Sequence, residues 1–161
     1  MAAMPAGIRA RVVQNATILA KAAVELGIPF LVTRQYPKGL GETVPPLPDE
    51  AEAIIDKTAF SCVRAKTFPH LLKQTKRSQV ILAGVETHVC ILQSAFDLRA
   101  SGYQVCVVED GVCSRTKENH RNAIRRMEQE AIQVTCLESV LFEWLADARH
   151  PSFKTVSQLI K

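Results

Sequence analysis

Apolar runs of strand length alternate with helix-patterned segments along most of this 161-residue chain. Strand-like runs lie at 28–34, 53–61, 78–84, 103–110 and 132–139, and helical patterns follow them at 66–77, 89–100, 117–130, 139–148 and 152–160. Nearly continuous apolar strands between amphipathic helices indicate a parallel sheet that is covered on both faces. We therefore expect one α/β domain over residues 1–161, with a three-layer, Rossmann-like architecture.

Composition narrows the possible partners. Apolar residues make up 47% and charged residues 22% of the chain, which is typical of a globular domain. No apolar run approaches the ~20 residues of a membrane span, so no membrane partner is expected. The net charge of +4 is mild, and the basic helix faces are interspersed with acidic residues. Nucleic acid is therefore not expected to be the main partner.

The cysteine pattern and the N-terminus bear on the compartment. The five cysteines form no CxxC pair and show no zinc spacing, which favours free thiols in a reducing compartment, the cytoplasm. Cys106 and Cys136 are predicted to be small buried residues of strands. No acidic residue precedes Glu25, a bias also seen in mitochondrial transit peptides. The helical spacing from Val12 to Leu26 favours a folded helix instead, and a mitochondrial location stays open.

The candidate chemistry lies where the strands are predicted to end, since ligands in such folds bind beyond the carboxyl ends of the strands. Cys90 is predicted in the first turn of the helix after strand 78–84, where unpaired N–H groups and the helix dipole stabilise a thiolate. Lys57, near the end of strand 53–61, would hold that thiolate by charge. Backbone N–H groups of residues 84–89 could bind an oxyanion. A structural cysteine and a solvated lysine remain open alternatives.

Four segments in order resemble a known family. VTRQYPKGLG, KTAFS, ILAGVETHVCIL and VEDGVCSR are similar to isochorismatase-like cysteine hydrolases, in particular the branch of isochorismatase domain-containing proteins, from about residue 10 to 161. The resemblance implies that Cys90 is the nucleophile and Lys57 the lysine of an Asp–Lys–Cys triad. It also implies a cis peptide bond between Val85 and Glu86, with the amides of Glu86 and Cys90 facing the oxyanion.

The resemblance further implies the reaction and the partners. Tyr36 and Phe60 would line the substrate pocket, whereas Asp110 and Ser114 would support a loop. The expected reaction is hydrolysis of a small-molecule amide or a related C–N or acyl bond, without a cofactor, in a homo-oligomer. The alternative is a catalytically inactive domain that serves as a binding or scaffold module.

Two departures from the family pattern limit what is carried over. The nicotinamidase members hold a metal through an Asp-x-His-x-His stretch, but TRQYPKGLGETV contains neither residue type, so no metal is expected. The family's first strand, which carries the triad aspartate, has no counterpart in MAAMPAGIRARVVQN. In the family's strand order 3-2-1-4-5-6, a gap would separate strands 28–34 and 78–84.

Three explanations of that gap stay open: further residues upstream, another segment or a partner chain in the slot, or a truncated and inactive relative. We favour the first, because unpaired backbone groups in the middle of a sheet are costly. Asp56 is not expected to replace the aspartate, since neighbouring residues of a strand point to opposite faces.

Overall fold

The computed structural model describes residue 4 and residues 6–40 and 47–161. Its strands are β1 (Leu31–Gln35), β2 (Ala53–Lys57), β3 (Gln79–Val85), β4 (Gln104–Cys113) and β5 (Gln133–Thr135). Its α-helices are α1 (Ala6–Glu25), α2 (Pro37–Leu40), α3 (Phe68–Gln74), α4 (Leu92–Ala100), α5 (Lys117–Gln129), α6 (Leu137–Leu145) and α7 (Phe153–Gln158). A 3-10 turn at Cys62–Arg64 and a π-helical turn at Thr87–Ile91 complete the elements. The expected α/β fold is confirmed.

The strands form two separate parallel sheets. β1 pairs with β2, and Gln35 at the end of β1 stands opposite Lys57 at the end of β2. β4 lies between β3 and β5 in the second sheet. Within the described ranges, no ladder joins β1 to β3. The break falls between the two strands where the resemblance predicts a gap, and what occupies it stays a prediction.

Helices cover both faces of β4, the central strand of the larger sheet. Val107 and Val112 belong to a core with Leu98 of α4 and Met127 of α5. Val108, the neighbour of Val107, belongs instead to a second core with residues of α1, α6 and α7. Because successive side chains point to opposite faces of a strand, the two cores lie on opposite sides of β4.

Several element boundaries differ from the sequence predictions, and the strand predicted at 53–61 already ends at Lys57. The helix predicted at 89–100 begins with the π-helical turn and becomes α-helical only at Leu92. The strand predicted at 132–139 is limited to β5, so Cys136 is exposed at the start of α6 rather than buried in a strand. Residues 41–46, between α2 and β2 in the chain, lie outside the described residues.

The N-terminal segment folds as the helical spacing predicts. α1 runs from Ala6 to Glu25 and buries Val12, Ile18 and Ala22. It contacts β4, β3 and α6 and so covers one face of the larger sheet. No described helix combines the length and the hydrophobicity that crossing a bilayer requires.

Candidate active site

Cys90 lies in the π-helical turn that follows β3, and its side chain is half-buried. Thr87, at the start of this turn, is fully buried, and its Oγ1 lies 3.0 Å from Nδ1 of His120 in α5. The backbone N–H of His88 donates to Oγ of Ser114 over 3.4 Å, and Nδ1 of His88 lies 3.0 Å from the same oxygen. The turn that carries the thiol is therefore held by α5 and by the segment after β4.

Lys57 is the last residue of β2 and is only 7% exposed. Its Nζ donates to Oε1 of Gln35 over 2.6 Å and to the carbonyl oxygens of Ala59 and Phe60 over 3.1 and 2.7 Å. The same Nζ lies 3.8 Å from Sγ of Cys90. An ammonium and a sulfur at this distance interact electrostatically. The structure therefore brings the two predicted reacting groups together, from different sheets.

Gln35 is the member of this cluster that the sequence analysis missed. It ends β1 directly beside Lys57, and its Oε1 lies 3.9 Å from Sγ of Cys90. The apolar pattern that predicts strand 28–34 stops one residue earlier, so Gln35 falls outside the predicted strand. The predicted bounds 28–34 and 53–61 do not place residue 35 opposite residue 57, whereas the observed register of β1 and β2 does.

The Val85–Glu86 peptide bond is cis. The Glu86 carboxylate accepts from Arg115 three times, from Nη2 over 2.7 Å, from Nε over 3.2 Å and from the backbone N–H over 3.1 Å. The guanidinium of Arg115 holds the pKa of Glu86 below its ordinary value. The Glu86 carboxylate is thereby held in its ionised form and paired with Arg115.

Tyr36 directly follows β1, and Phe60 lies three residues after Lys57, so both aromatic residues are near the lysine. The backbone N–H of Tyr36 donates to the carbonyl oxygen of Lys57 over 2.8 Å, and each of the two aromatic residues is 52% exposed. Gly39 leaves room for the Tyr36 ring, since a Cβ at that position would collide with it. Two aromatic surfaces next to the lysine are therefore open to solvent.

Nearby carboxylates are engaged elsewhere. Asp56 lies on the other face of β2 and binds the guanidinium of Arg34 over 2.7 and 3.1 Å. Oδ1 of Asp110 accepts from the backbone N–H of Leu137 over 2.8 Å, at the start of α6. Among the residues that the structure describes, no carboxylate hydrogen bonds to the ammonium of Lys57. The acid of the expected triad is therefore not supplied by either aspartate.

Three of the other cysteines are in surroundings that favour the neutral thiol. Burial raises the pKa of Cys62 and Cys113 above the ordinary value and raises the pKa of Cys106 to about 11. Cys136 is exposed, and its Sγ lies 3.3 Å from Oγ of Ser139. None of these four sulfurs has the lysine contact that Cys90 has among the described hydrogen bonds.

Two further features of the described residues bear on ligands. No group of three or more His, Cys, Asp or Glu side chains in this part of the chain is arranged to hold a metal ion. A cavity of about 490 Å³ opens at the opposite end of the smaller sheet, between α1 and α3, and its lining includes Val24, Leu31, Leu71 and Arg77. No predicted site residue lines this cavity, so it does not bear on Cys90.

Comparison with known proteins places the chain in a family. The isochorismatase domain model matches residues 5–139. The zebrafish isochorismatase domain-containing protein 2 is 39% identical over 149 residues, which are 92% of this chain and 76% of the relative. A solved structure named MAR1 ribonuclease, from Caenorhabditis elegans, is 39% identical with a TM-score of 0.85, over 93% of this chain and 78% of that one.

A more distant neighbour shares the fold. The Escherichia coli YcaC gene product, described as an octameric hydrolase of unknown specificity, has a TM-score of 0.82 at 23% identity, over 93% of this chain and 75% of that one. At this identity the likeness concerns the fold alone. The match to the domain model and to the zebrafish relative is decisive: the chain belongs to the isochorismatase family.

Proposed function

We propose that this protein is a cysteine hydrolase that cleaves a small-molecule amide or a related C–N or acyl bond, with Cys90 as nucleophile. One observation carries the proposal: Nζ of Lys57 lies 3.8 Å from Sγ of Cys90, in a largely buried position. A buried ammonium beside a half-exposed sulfur is an arrangement that activates a thiol. Membership of the isochorismatase family supports hydrolysis as the reaction class.

In the proposed reaction the Cys90 thiolate attacks the substrate carbonyl carbon, and the developing oxyanion is bound by the amides of Glu86 and Cys90. Collapse of the tetrahedral intermediate breaks the C–N bond, and the proton released by the thiol leaves with the amine. Water then attacks the thioester, which gives the carboxylic acid and restores the thiol. Lys57 stabilises the sulfur anion before the first step and after the second.

Tyr36 and Phe60 are proposed to bind the substrate. Their rings are solvent-exposed while their backbones contact Lys57, so a ligand lying on either ring is within reach of the reacting groups. Aromatic rings offer large contact areas with little loss of side-chain entropy, which suits recognition of an apolar or planar acyl group.

A second function is favoured by one specific observation. The Lys57 ammonium has only neutral oxygen acceptors and the sulfur as partners among the described residues, so the proton transfer of the family's triad lacks its acid there. A domain that keeps the crevice without that acid would bind a ligand and not turn it over. The alternative is therefore a catalytically silent binding or scaffold module.

Thiol reactivity provides the first test. Iodoacetamide labelling near neutral pH, read out peptide by peptide by mass spectrometry, is expected to modify Cys90 at least ~10-fold faster than the more exposed Cys136. Lys57→Met should remove that advantage, whereas Cys136→Ala, which lacks the reference thiol, should label Cys90 at the wild-type rate. Slower labelling of Cys90 than of Cys136 would refute the nucleophile assignment.

Turnover provides the second test and separates the two functions. A panel of small amides, with an RNA substrate added because the C. elegans neighbour is named a ribonuclease, is incubated with the wild type and with Cys90→Ala. Amine release by the wild type alone supports the hydrolase. A reactive Cys90 with no turnover, together with ligand binding that survives Cys90→Ala, supports the silent module.

Self-association and compartment belong to the same proposal. We propose that the chain forms a homo-oligomer, a suggestion supported by the description of the E. coli fold neighbour as octameric. Sedimentation velocity at micromolar concentration checks it, and a single monomeric species would contradict it. We also propose a reducing compartment such as the cytoplasm, since all five cysteines are free thiols.

A further inference from the structure

The π-helical turn that carries Cys90 is tied to α5 through the side chain of its first residue. Thr87 is 0% exposed, and its Oγ1 lies 3.0 Å from Nδ1 of His120. The carbonyl oxygen of Thr87 accepts from the backbone N–H of Leu92, five residues along the chain, which is the hydrogen bond of a π-helical turn. Cys90 lies between these two residues, so Thr87 fixes the backbone segment that sets the position of the sulfur.

The hydroxyl of Thr87 is paired with another helix rather than with its own. Thr17 in α1 shows the local alternative, since its Oγ1 donates to the carbonyl oxygen of Val13, four residues earlier, over 2.8 Å. Thr87 follows β3 directly after Glu86, so no earlier helical turn offers it such a carbonyl. A fully buried hydroxyl without a partner is costly, and the bond to His120 avoids that cost.

Glu109 of β4 orients the ring of His120. Nε2 of His120 lies 3.6 Å from Oε1 of Glu109. A carboxylate on that side favours the imidazole tautomer that carries its proton on Nε2, which leaves Nδ1 to accept from the Thr87 hydroxyl. A series of contacts therefore runs from the central strand of the larger sheet, through the imidazole ring, to the first residue of the turn.

We infer that Thr87 and His120 are positioning residues of the proposed cysteine site. Their contact holds the π-helical turn against α5 and so fixes the Cys90 sulfur beside the ammonium of Lys57. This inference rests on the proposed function, and it assigns part of the reactivity of the thiol to a bond that touches neither reacting group. Because the backbone N–H of His88 also holds the turn, loss of the bond should displace the sulfur without releasing the whole turn.

The decisive experiment measures the second-order rate of Cys90 alkylation by iodoacetamide at pH 7, in variants that change the shape and the hydroxyl of residue 87 separately. Thr87→Val keeps the shape and loses the hydroxyl, and it is expected to react ~5-fold more slowly than the wild type, the rate equivalent of one lost hydrogen bond. Thr87→Ser keeps the hydroxyl and should retain most of the wild-type rate.

A second variant removes the same bond from its less buried partner and keeps the inference testable if Thr87→Val does not fold. His120→Leu should slow alkylation as much as Thr87→Val does, and the double variant should be no slower than either single variant, because both changes remove one interaction. Val140→Ala is the matched control for stability. Val140 is 2% exposed in the core that includes Val108, so its truncation destabilises the fold without removing a bond of the turn, and Cys90 should react at the wild-type rate.

The outcomes separate the inference from the proposed function. A wild-type rate in Thr87→Val or in His120→Leu would overturn the role of the contact, and so would equal losses in Thr87→Val and Thr87→Ser or losses that multiply in the double variant. Equal slowing in Val140→Ala would also overturn it, since the rate would then follow stability alone. A wild-type Cys90 that reacts no faster than Cys136 would instead overturn the proposed function itself.

Discussion

The central strand of the larger sheet, β4, is more completely enclosed than β1 of the smaller sheet. In the larger sheet, four valines of β4 are at most 5% exposed: Val105, Val107, Val108 and Val112. In the smaller sheet, all residues of β1 are only partly buried, and Ile54 of β2 is 60% exposed. β4 is thus the best-buried strand, whereas β3 of the same sheet is partly buried like β1.

The difference matters because the candidate site is divided between the two sheets. Lys57 and Gln35 end strands of the smaller sheet, and Cys90 follows a strand of the larger one. Between them, the backbone N–H of Cys62 donates to Oγ of Ser94 in α4 over 2.9 Å. Nε of Arg64 also contacts Oδ2 of Asp97 over 2.9 Å, and this contact lowers the pKa of Asp97. The 3-10 turn, which follows β2, is therefore tied to α4, which continues from the turn that carries Cys90.

Hydrogen exchange should show the largest contrast. Amides of Val105–Val108 in β4 are expected to exchange about 100-fold more slowly than amides of Leu31–Gln35 in β1, because the better-buried strand opens only with the whole domain. Native-state exchange followed by mass spectrometry or NMR measures both. Equal exchange rates in the two strands would contradict the difference in burial as the cause of a difference in stability.

Truncation of a buried leucine in the larger sheet's core should come next in size. Leu98→Ala, at a residue that is 1% exposed, is expected to lower the free energy of unfolding by about 2–5 kcal/mol, since it leaves a cavity. The control Ile54→Ala in the smaller sheet should change it by less than about 0.5 kcal/mol. Urea unfolding measures both, and equal losses would show that the smaller sheet is as tightly packed.

Removal of the link between the sheets should have an intermediate effect. Ser94→Ala leaves the buried N–H of Cys62 without its acceptor, which is expected to cost about 1–3 kcal/mol of unfolding free energy. It should also slow the alkylation of Cys90, because Lys57 loses its fixed distance from the sulfur. Ser101→Ala, at an exposed serine just after the C-terminal end of α4, is the control for both readouts. Unchanged alkylation would show that α4 does not set this distance.

The smallest expected effect concerns the carboxylate of Glu86. Its pKa is lowered by Arg115 in the folded protein, so the contact stabilises the fold above the unfolded-state value of about 4.3 and is lost as the pH falls through the lower folded value. Glu86→Gln should therefore lower the melting temperature modestly at pH 7 and not at all at pH 2. A difference that persists at pH 2 would assign the effect to something other than the ionised carboxylate.

Sequence pattern predicted much of the fold because burial on both faces of β4 leaves a continuous apolar run, QVCVV, that is typical of a parallel strand. The rule for strand ends also brought Lys57 and Cys90 to one edge without any knowledge of their neighbours. The π-helical turn at Thr87–Ile91 was not predicted, because a single turn of altered hydrogen bonding leaves no trace in a helical hydrophobic period.

The incorrect predictions depended on the register between paired strands and on the length of a strand. Gln35 was missed because its role arises only from the pairing of β1 with β2. Cys136 was misplaced because an apolar run shows where a strand can exist, not where the following helix begins, and α6 begins at Leu137. The discontinuity between the sheets came from the family resemblance and not from any local pattern.

Residue 60 contributes to the site in two independent ways, because Lys57 binds its backbone carbonyl oxygen and not its side chain. The main chain at residue 60 helps to hold the charge, whereas the ring of the same residue faces outward. Replacing the ring leaves the acceptor in place, so this surface is free to diversify toward new ligands while the ammonium remains where it is.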